Sequence, residues 1–351
     1  MTRGTRHNTS YVIPAHEPES HQRSTHMLQF EKHITMSSDI GKYIDNPDKT
    51  IFFDIETTGL HHKYSYLYMI GVLFQDNGRW TLRQWFATKP TDEIEVLSTF
   101  MDFLLPDSYL IHYNGGSFDI PYVKSRCAFH GIPTTPLDDV GNMDIYRLIR
   151  PYQKKLGLEK LTQKSVEQFI GLKRLDEFSG KELINMYKKY LQSGDEILLE
   201  QLLLHNQEDV LNMSALLSLM AYQFLFEGHY SIKKASFDTD SLIVDLELEY
   251  PLNHSFAVTN DKYTLTVNHD TALIKTPIQN QTLKYYYSNY QDYYYLPSED
   301  KSIHKSVASY VDKEHRIQAT ADNCYQRIAC NSLDLSNTSE IKAYIDQLLI
   351  L

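Results

Sequence analysis

Apolar positions along the chain switch between two periods. Ile51-Phe52-Phe53 is an unbroken apolar run that ends in Asp54-Ile55-Glu56 and then Thr57-Thr58-Gly59. A short run of this kind, bounded by turn residues, reads as a buried strand. Residues 64–74 and 79–86 read as two further strands joined through Gln75-Asp76-Asn77-Gly78, because Asn-Gly between apolar runs signals a hairpin. Over 93–105 the spacing becomes helical, with Ile94, Leu97, Phe100, Met101 and Leu104 on one side. A short strand at 109–112 then meets Asn114-Gly115-Gly116, whose glycines permit a tight turn, and a helix is expected from Ser117 to about 130. Residues 138–145 offer another buried edge ending in Asp144, and helices are expected over 161–170, 180–191 and 195 to about 226.

Beyond residue 228 the pattern shortens and alternates, at 242–248, 254–258, 264–267 and 272–276, which predicts a β-rich region. It also packs seven tyrosines into the eleven positions 285–295; these suit strands, and they also suit the stacking of bases. Residues 1–38 are polar, carry His7, His16, His21, His26 and His33, and show no sustained period, so a mobile arm is expected there. The organisation expected is an arm over 1–38, an α/β domain over 39–227 and a β-rich domain over 228–351.

Composition narrows the classes. At 351 residues and 42% hydrophobic content two cores are expected. Three cysteines, Cys127, Cys324 and Cys330, show no metal-ligand spacing, which suits a reducing cytoplasm. No apolar run approaches the ~18 residues of a membrane span, so no membrane partner is expected. A net charge of −11 argues against a general nucleic-acid coat. Locally, however, Arg147, Arg150, Lys154, Lys155, Lys160, Lys164, Lys173 and Arg174 face only Glu159 and Glu167. That stretch either steers a polyanion or is a solvated face.

The chemistry begins at Asp54 and Glu56. Two apart on a strand, they project from one face and repel each other unless a cation lies between them. Mg²⁺ or Mn²⁺ is the usual answer; a strand end whose acids face water is the alternative. Asp119 falls in the first turn of its helix, where a carboxylate also serves as a plain cap. His205 and Asp209, four apart, share a helix face and could meet one ligand or one water, or form a surface pair.

Taken together, Asp54-x-Glu56, Asn114 with Phe118-Asp119, and His205-x-x-x-Asp209 resemble the three exonuclease motifs of the DEDD superfamily, and within it the YprB-type ribonuclease H-like exonuclease family. Asp144-Ile145-Tyr146, residues 161–167, Arg174 and residues 187–194 also resemble that family, so the likeness spans about 48–220. It implies a ribonuclease H-like mixed sheet flanked by helices and a 3′-5′ exonuclease acting on DNA or RNA. Two divalent ions, Mg²⁺ or Mn²⁺, would sit between Asp54, Glu56, Asp119 and Asp209, with Asp54 bridging and Asp119 acting through a bound water. Asn114 would position the strand, and Arg147, Lys154, Lys155, Lys160 and Lys164 are the phosphate-contact candidates. One departure stands out: the superfamily usually has tyrosine four residues before the last aspartate or histidine five before it, whereas this chain has His205 and Leu204 there. His205 is expected to orient or deprotonate the nucleophile, in its neutral form. The alternative function is a catalytically weak scaffold that binds nucleic acid, or a protein partner through the C-terminal domain.

Overall fold

A computed structural model describes residues 22–23, 27–36 and 40–349. The chain divides into two compact units, Met1–Ser218 and Leu219–Leu351, each taken here by itself.

The first unit is built on a seven-stranded mixed sheet: β1 Gln22–Arg23, β2 Met27–Ile34, β3 Thr50–Thr57, β4 Leu67–Asp76, β5 Arg79–Ala87, β6 Tyr109–His112 and β7 Gly141–Asp144, in the order β1-β2-β5-β4-β3-β6-β7. Six helices belong to it beside the long one described below: α1 Glu93–Phe103, α2 Asp119–His130, α3 Thr135–Asp138, α4 Ile145–Ile149, α5 Gln163–Phe169 and α6 Gly180–Ser193. From β2 to β3 across the sheet all pairing is antiparallel, whereas β6 and β7 run parallel to β3. Strand β4 is buried on both faces from Leu67 to Leu73, which explains its unbroken apolar run. Asn77 (φ 49°) and Gly78 (φ 76°) make a two-residue turn with both central residues left-handed, as the Asn-Gly signal predicts.

Two expectations for this unit change. Residues 27–34, read as part of an arm, form β2 and pair with β5 along its whole length. Their apolar residues are interleaved with Gln, Glu, Lys and His, which blurs the period, yet the strand covers an edge of β5 that would otherwise be open. Of the five histidines, His7, His16, His21 and His26 lie outside the described residues, and His33 bonds Thr81 at 3.1 Å. In α1, Ile94 is 47% exposed, and Glu93 is buried instead, held by Arg126 and His130.

The long helix expected over 195–226 is α7 Glu196–Leu216, a 3₁₀ turn, and α8 Met220–Phe226, and the unit boundary falls at 218/219, earlier than 227/228. By length and composition 196–226 suffices to cross a membrane, contrary to the reading that no run approaches that length; 61% of its apolar window is buried in the protein, as in a core helix. Asn206 and Leu202 are among the α7 residues with essentially no exposure.

The second unit is β-rich, as expected. Strands β8 Tyr230–Phe237, β9 Ser241–Leu248, β10 Phe256–Thr259, β11 Thr264–Asn268 and β12 Thr271–Pro277 form an antiparallel sheet in the order β10-β11-β12-β9-β8. Strand β13 Thr282–Tyr286 pairs with β17 Tyr325–Ala329, and β14 Tyr293–Leu296 lies between β15 Lys301–His304 and β16 Ile317–Gln318. A closing helix, α9 Thr338–Leu349, buries Ile341, Tyr344, Ile345, Leu348 and Leu349. Most of the tyrosine run is packed: Tyr286 meets Tyr325 at 5.3 Å, Tyr287 stacks on Tyr293 at 4.8 Å, and the Tyr295 hydroxyl binds Asp300.

Candidate active site

The site forms where β3 outruns its parallel neighbour. Pairing between β3 and β6 ends at Phe52 and Ile111, after which the chain leaves β6 through residues 113–118. Asp54 and Glu56 follow on β3, beside the crevice that opens where parallel strands end. Opposite Asp54 on β4 is Gly71, and opposite Gly71 on β5 is Gln84. Asn206 of α7 lies over this row: its amide nitrogen donates to Asp54 Oδ2 at 2.9 Å, and its oxygen accepts from Gln84 at 2.9 Å. A Cβ at Gly71 would stand 2.0 Å from Asn206 Oδ1, so the glycine is what lets the helix approach.

Asp119 enters from the first turn of α2, 8% exposed, with the Ile55 N–H 3.4 Å from its Oδ1. The turn before it is fixed by its own neighbours. Asn114 adopts φ 59° and donates its N–H to Asp144 Oδ1 at 2.8 Å, while the Gly115 N–H donates to His112 at 3.1 Å. Arg147 is exposed, 3.5 Å from Asp144.

The fourth acid arrives from α7 already partnered. Asp209 takes Arg174 on Oδ1 at 2.5 Å and His205 Nε2 on Oδ2 at 3.1 Å. Nε2 also lies 3.5 Å from Glu56, and Nδ1 lies 2.6 Å from Asp176 Oδ2. Ligand atoms of Glu56, His205 and Asp209 fall within 4.8 Å of one another. The loop that carries Arg174 and Asp176 is pinned by α7 itself, whose Glu208 accepts the N–H groups of Leu175 and Asp176 at 2.8 and 2.9 Å. Glu167 of α5 grips Arg174 through two contacts of 2.5 and 2.6 Å.

Charge follows from this geometry. Burial first, then the charges of Asp209, Asp119 and Glu56, drive the Asp54 carboxyl well above its usual range. Burial lifts Glu56 to about 7, against the opposing pull of His205, and lifts Asp119 to about 7. Asp209 ends below its usual value because His205 and Arg174 outweigh its burial. For His205, burial favours the neutral ring, but hydrogen bonds to Asp176 and Asp209 prevail and push it up to about 11. Both ring nitrogens face carboxylates, so with these partners alone the environment favours an imidazolium.

Asp54 and Glu56, half-buried, and Asp119, buried, are therefore hard-oxygen donors whose ionised forms lack enough compensating charge. That is the chemistry a divalent cation satisfies, and the residues fit one. Among the substrate-contact candidates, Lys154 and Lys160 are exposed and Lys155 is half-buried. Lys164 braces the site from behind, bonding Asp176 at 2.9 Å and the Phe178 carbonyl at 2.6 Å. Sequence reasoning missed Asn206 and Asp176. A polar residue inside the apolar face of α7 was a usable signal for Asn206; Asp176, in a loop without periodicity, gave none.

Residues 51–221 match the model of a family described as RNase_H_2, of the RNase_H superfamily. The protein YprB of Bacillus subtilis (strain 168), described as uncharacterized, is 28% identical over 215 residues, covering 58% of this chain and 52% of that protein. The chain thus spans about half the length of that relative. Structural likeness extends to the family B DNA polymerase from Pyrobaculum calidifontis, at 19% identity over 52% of this chain and 25% of that one, with a TM-score of 0.39. A structure of exonuclease I aligns at 13% identity over 62% of this chain and 55% of that one, with a TM-score of 0.30. The ExoI/SSB-Ct complex aligns at 10% identity over 87% and 75%, also at 0.30. The chain is accordingly similar to YprB, and its residues 51–221 carry the match to the RNase_H superfamily model.

Proposed function

We propose that the first unit is a divalent-metal-dependent exonuclease that hydrolyses phosphodiester bonds of DNA or RNA from the 3′ end. The observation that carries this reading is the convergence of the half-buried Asp54 and Glu56 and the buried Asp119, all held above the usual carboxylate range, on the Asp209 face of α7. Asp54, Glu56, Asp119 and Asp209 would hold two ions, Mg²⁺ or Mn²⁺. Bound there, such a pair lowers the pKa of a water and stabilises charge on the attacking and leaving oxygens.

The protein groups divide the remaining work. Asn206 fixes the rotamer of Asp54 by donating to one of its oxygens. Asp176 accepts the Nδ1 proton of His205, which leaves Nε2 as the nitrogen directed at Glu56 and Asp209. Any proton that the imidazole gives or takes at the reacting end therefore moves through Nε2. Asn114, on its left-handed turn, and the exposed Arg147 would meet the strand. Lys154, Lys155 and Lys160 remain phosphate-contact candidates, and Lys164 acts through Asp176.

A second reading has an observation of its own. Both oxygens of Asp209 are engaged by protein cations, Arg174 and His205, an arrangement that suits a catalytically weak scaffold binding nucleic acid or a protein partner. Labelled single-stranded and duplex DNA and RNA, incubated with Mg²⁺, Mn²⁺ or EDTA, separate the two: metal-dependent release of nucleotides from 3′ ends supports the enzyme, and binding without cleavage supports the scaffold.

A further inference from the structure

Within the second unit a narrow pocket is lined by Asp261, Lys262, Gln279, Thr282, Lys284 and Arg327 together with their neighbours. Lys284 on β13 stands directly opposite Arg327 on β17. Like charges in that position destabilise a strand pair unless negative charge compensates them. Asp300 compensates one of the two: it accepts from Arg327 Nε at 2.9 Å and from Nη2, and also takes the hydroxyls of Tyr295 and Tyr325. Arg327 spends further donors on Thr282 and on the Gln279 oxygen, each at 3.1 Å. Its guanidinium is held by the protein.

Lys284 is different. Its ammonium lies 4.1 Å from the centroid of the Tyr325 ring and bonds no acceptor among the described residues. Burial lowers its pKa and Arg327 adds to this, while Asp300 and the lining Asp261 oppose it. The side chain is half-buried, so its N–H donors are open to an external group that supplies oxygen atoms and negative charge. Lys262 stands on the same pocket with one firm bond, to the Ala321 carbonyl at 3.0 Å, and the exposed Asp322 at 3.4 Å. The Gln279 side chain lines the pocket with its oxygen turned to Arg327.

We infer that this pocket binds a phosphate-type oxyanion, with Lys284 as its principal donor, Lys262 beside it and Arg327 adding a fixed positive field. A phosphate group suits it better than a carboxylate because three or more oxygens can meet the three donors of Lys284 and those of its neighbours. Such a group could come from a free phosphate monoester or from the backbone of a nucleic-acid strand. The inference is independent of the nuclease reading, since no residue of the pocket lies within 51–221.

Calorimetric titration of the full chain in EDTA tests it, using inorganic phosphate, a 5′-mononucleotide and a single-stranded oligonucleotide as probes. At least one probe should bind wild type tenfold or more tightly than it binds Lys284→Gln, while the two proteins unfold at the same Tm. The probe with the largest dependence on Lys284 identifies the source: the mononucleotide points to a free monoester, the oligonucleotide to a strand. If Lys284→Gln does not fold, Lys262→Gln carries the same comparison. Equal binding of all three probes by wild type and variant overturns the inference.

Discussion

At the scale of single residues, the site is decided by what surrounds each charge. Asp54 and Asp119 pair with no protein cation among the described residues and Glu56 lies 3.5 Å from His205 Nε2, whereas Asp209 has two cationic partners and His205 is clamped between Asp176 on one nitrogen and Glu56 and Asp209 on the other. If Asp176 orients the imidazole, Asp176→Asn should lower turnover by about 10- to 100-fold, the range typical of a lost outer partner. His205→Ala should lose about 10²-fold or more, as removal of a positioned acid or base does. Neither change should alter Mn²⁺ affinity much, because the oxygen donors remain. Turnover at the wild-type rate in Asp176→Asn would make that carboxylate a structural brace alone.

At the scale of elements, the docking of α7 onto the sheet is what assembles the acids. It rests on the absence of a side chain at Gly71, over which Asn206 reaches Asp54 and Gln84. Gly71→Ala should therefore destabilise the fold by roughly 1 to 3 kcal/mol, as overpacking does, with a fall in Tm and a loss of activity larger than that fall explains. A variant as stable and active as wild type would show that the helix docks without this contact. The strands and helices around the site were legible because strict periods and turn chemistry agree there: the β4–β5 hairpin, β3, α2 and α6 lie where their sequences place them. Strand β2 was not, since its polar residues mask the alternation, and neither was β8, whose exposed positions carry Ser and Lys. The four acids were legible as ordered motifs. Arg174 stood out as the end of a basic stretch and by resemblance, and the carboxylate that holds His205 became visible only when the 171–178 loop was seen folded against α7 through Glu208.

At the scale of the whole molecule, the pKa shifts become a pH dependence of stability. Glu56 and Asp119 have folded values of about 7, above 4.5 and 3.8, so the folded state holds their protons more tightly. Their contribution is present below those unfolded values and is lost as pH rises toward about 7. His205 acts in the same direction higher up, its contribution present below 6.5 and lost as pH rises toward about 11. Asp209, with a lowered value, contributes stability that is lost as pH falls below 3.8. In EDTA, thermal unfolding should therefore show stability declining between pH 4.5 and 7, and saturating Mn²⁺ should flatten that decline by compensating the carboxylates. A profile identical with and without Mn²⁺ would remove the metal from the account. Long-range charge gives a separate expectation. The chain carries −11 overall, so the exposed Lys154 and Lys160 should matter locally: neutralising both should weaken substrate binding and flatten its salt dependence, through fewer released counterions. An unchanged slope assigns them to solvent.

The most direct measurement is shortening of a 5′-end-labelled single strand by wild type, Asp54→Ala and Asp209→Ala, each with Mn²⁺ and with EDTA. The predicted result is stepwise shortening from the 3′ end by wild type with Mn²⁺ only, and none by either variant. Cleavage at the wild-type rate in either variant, or in EDTA, would contradict it.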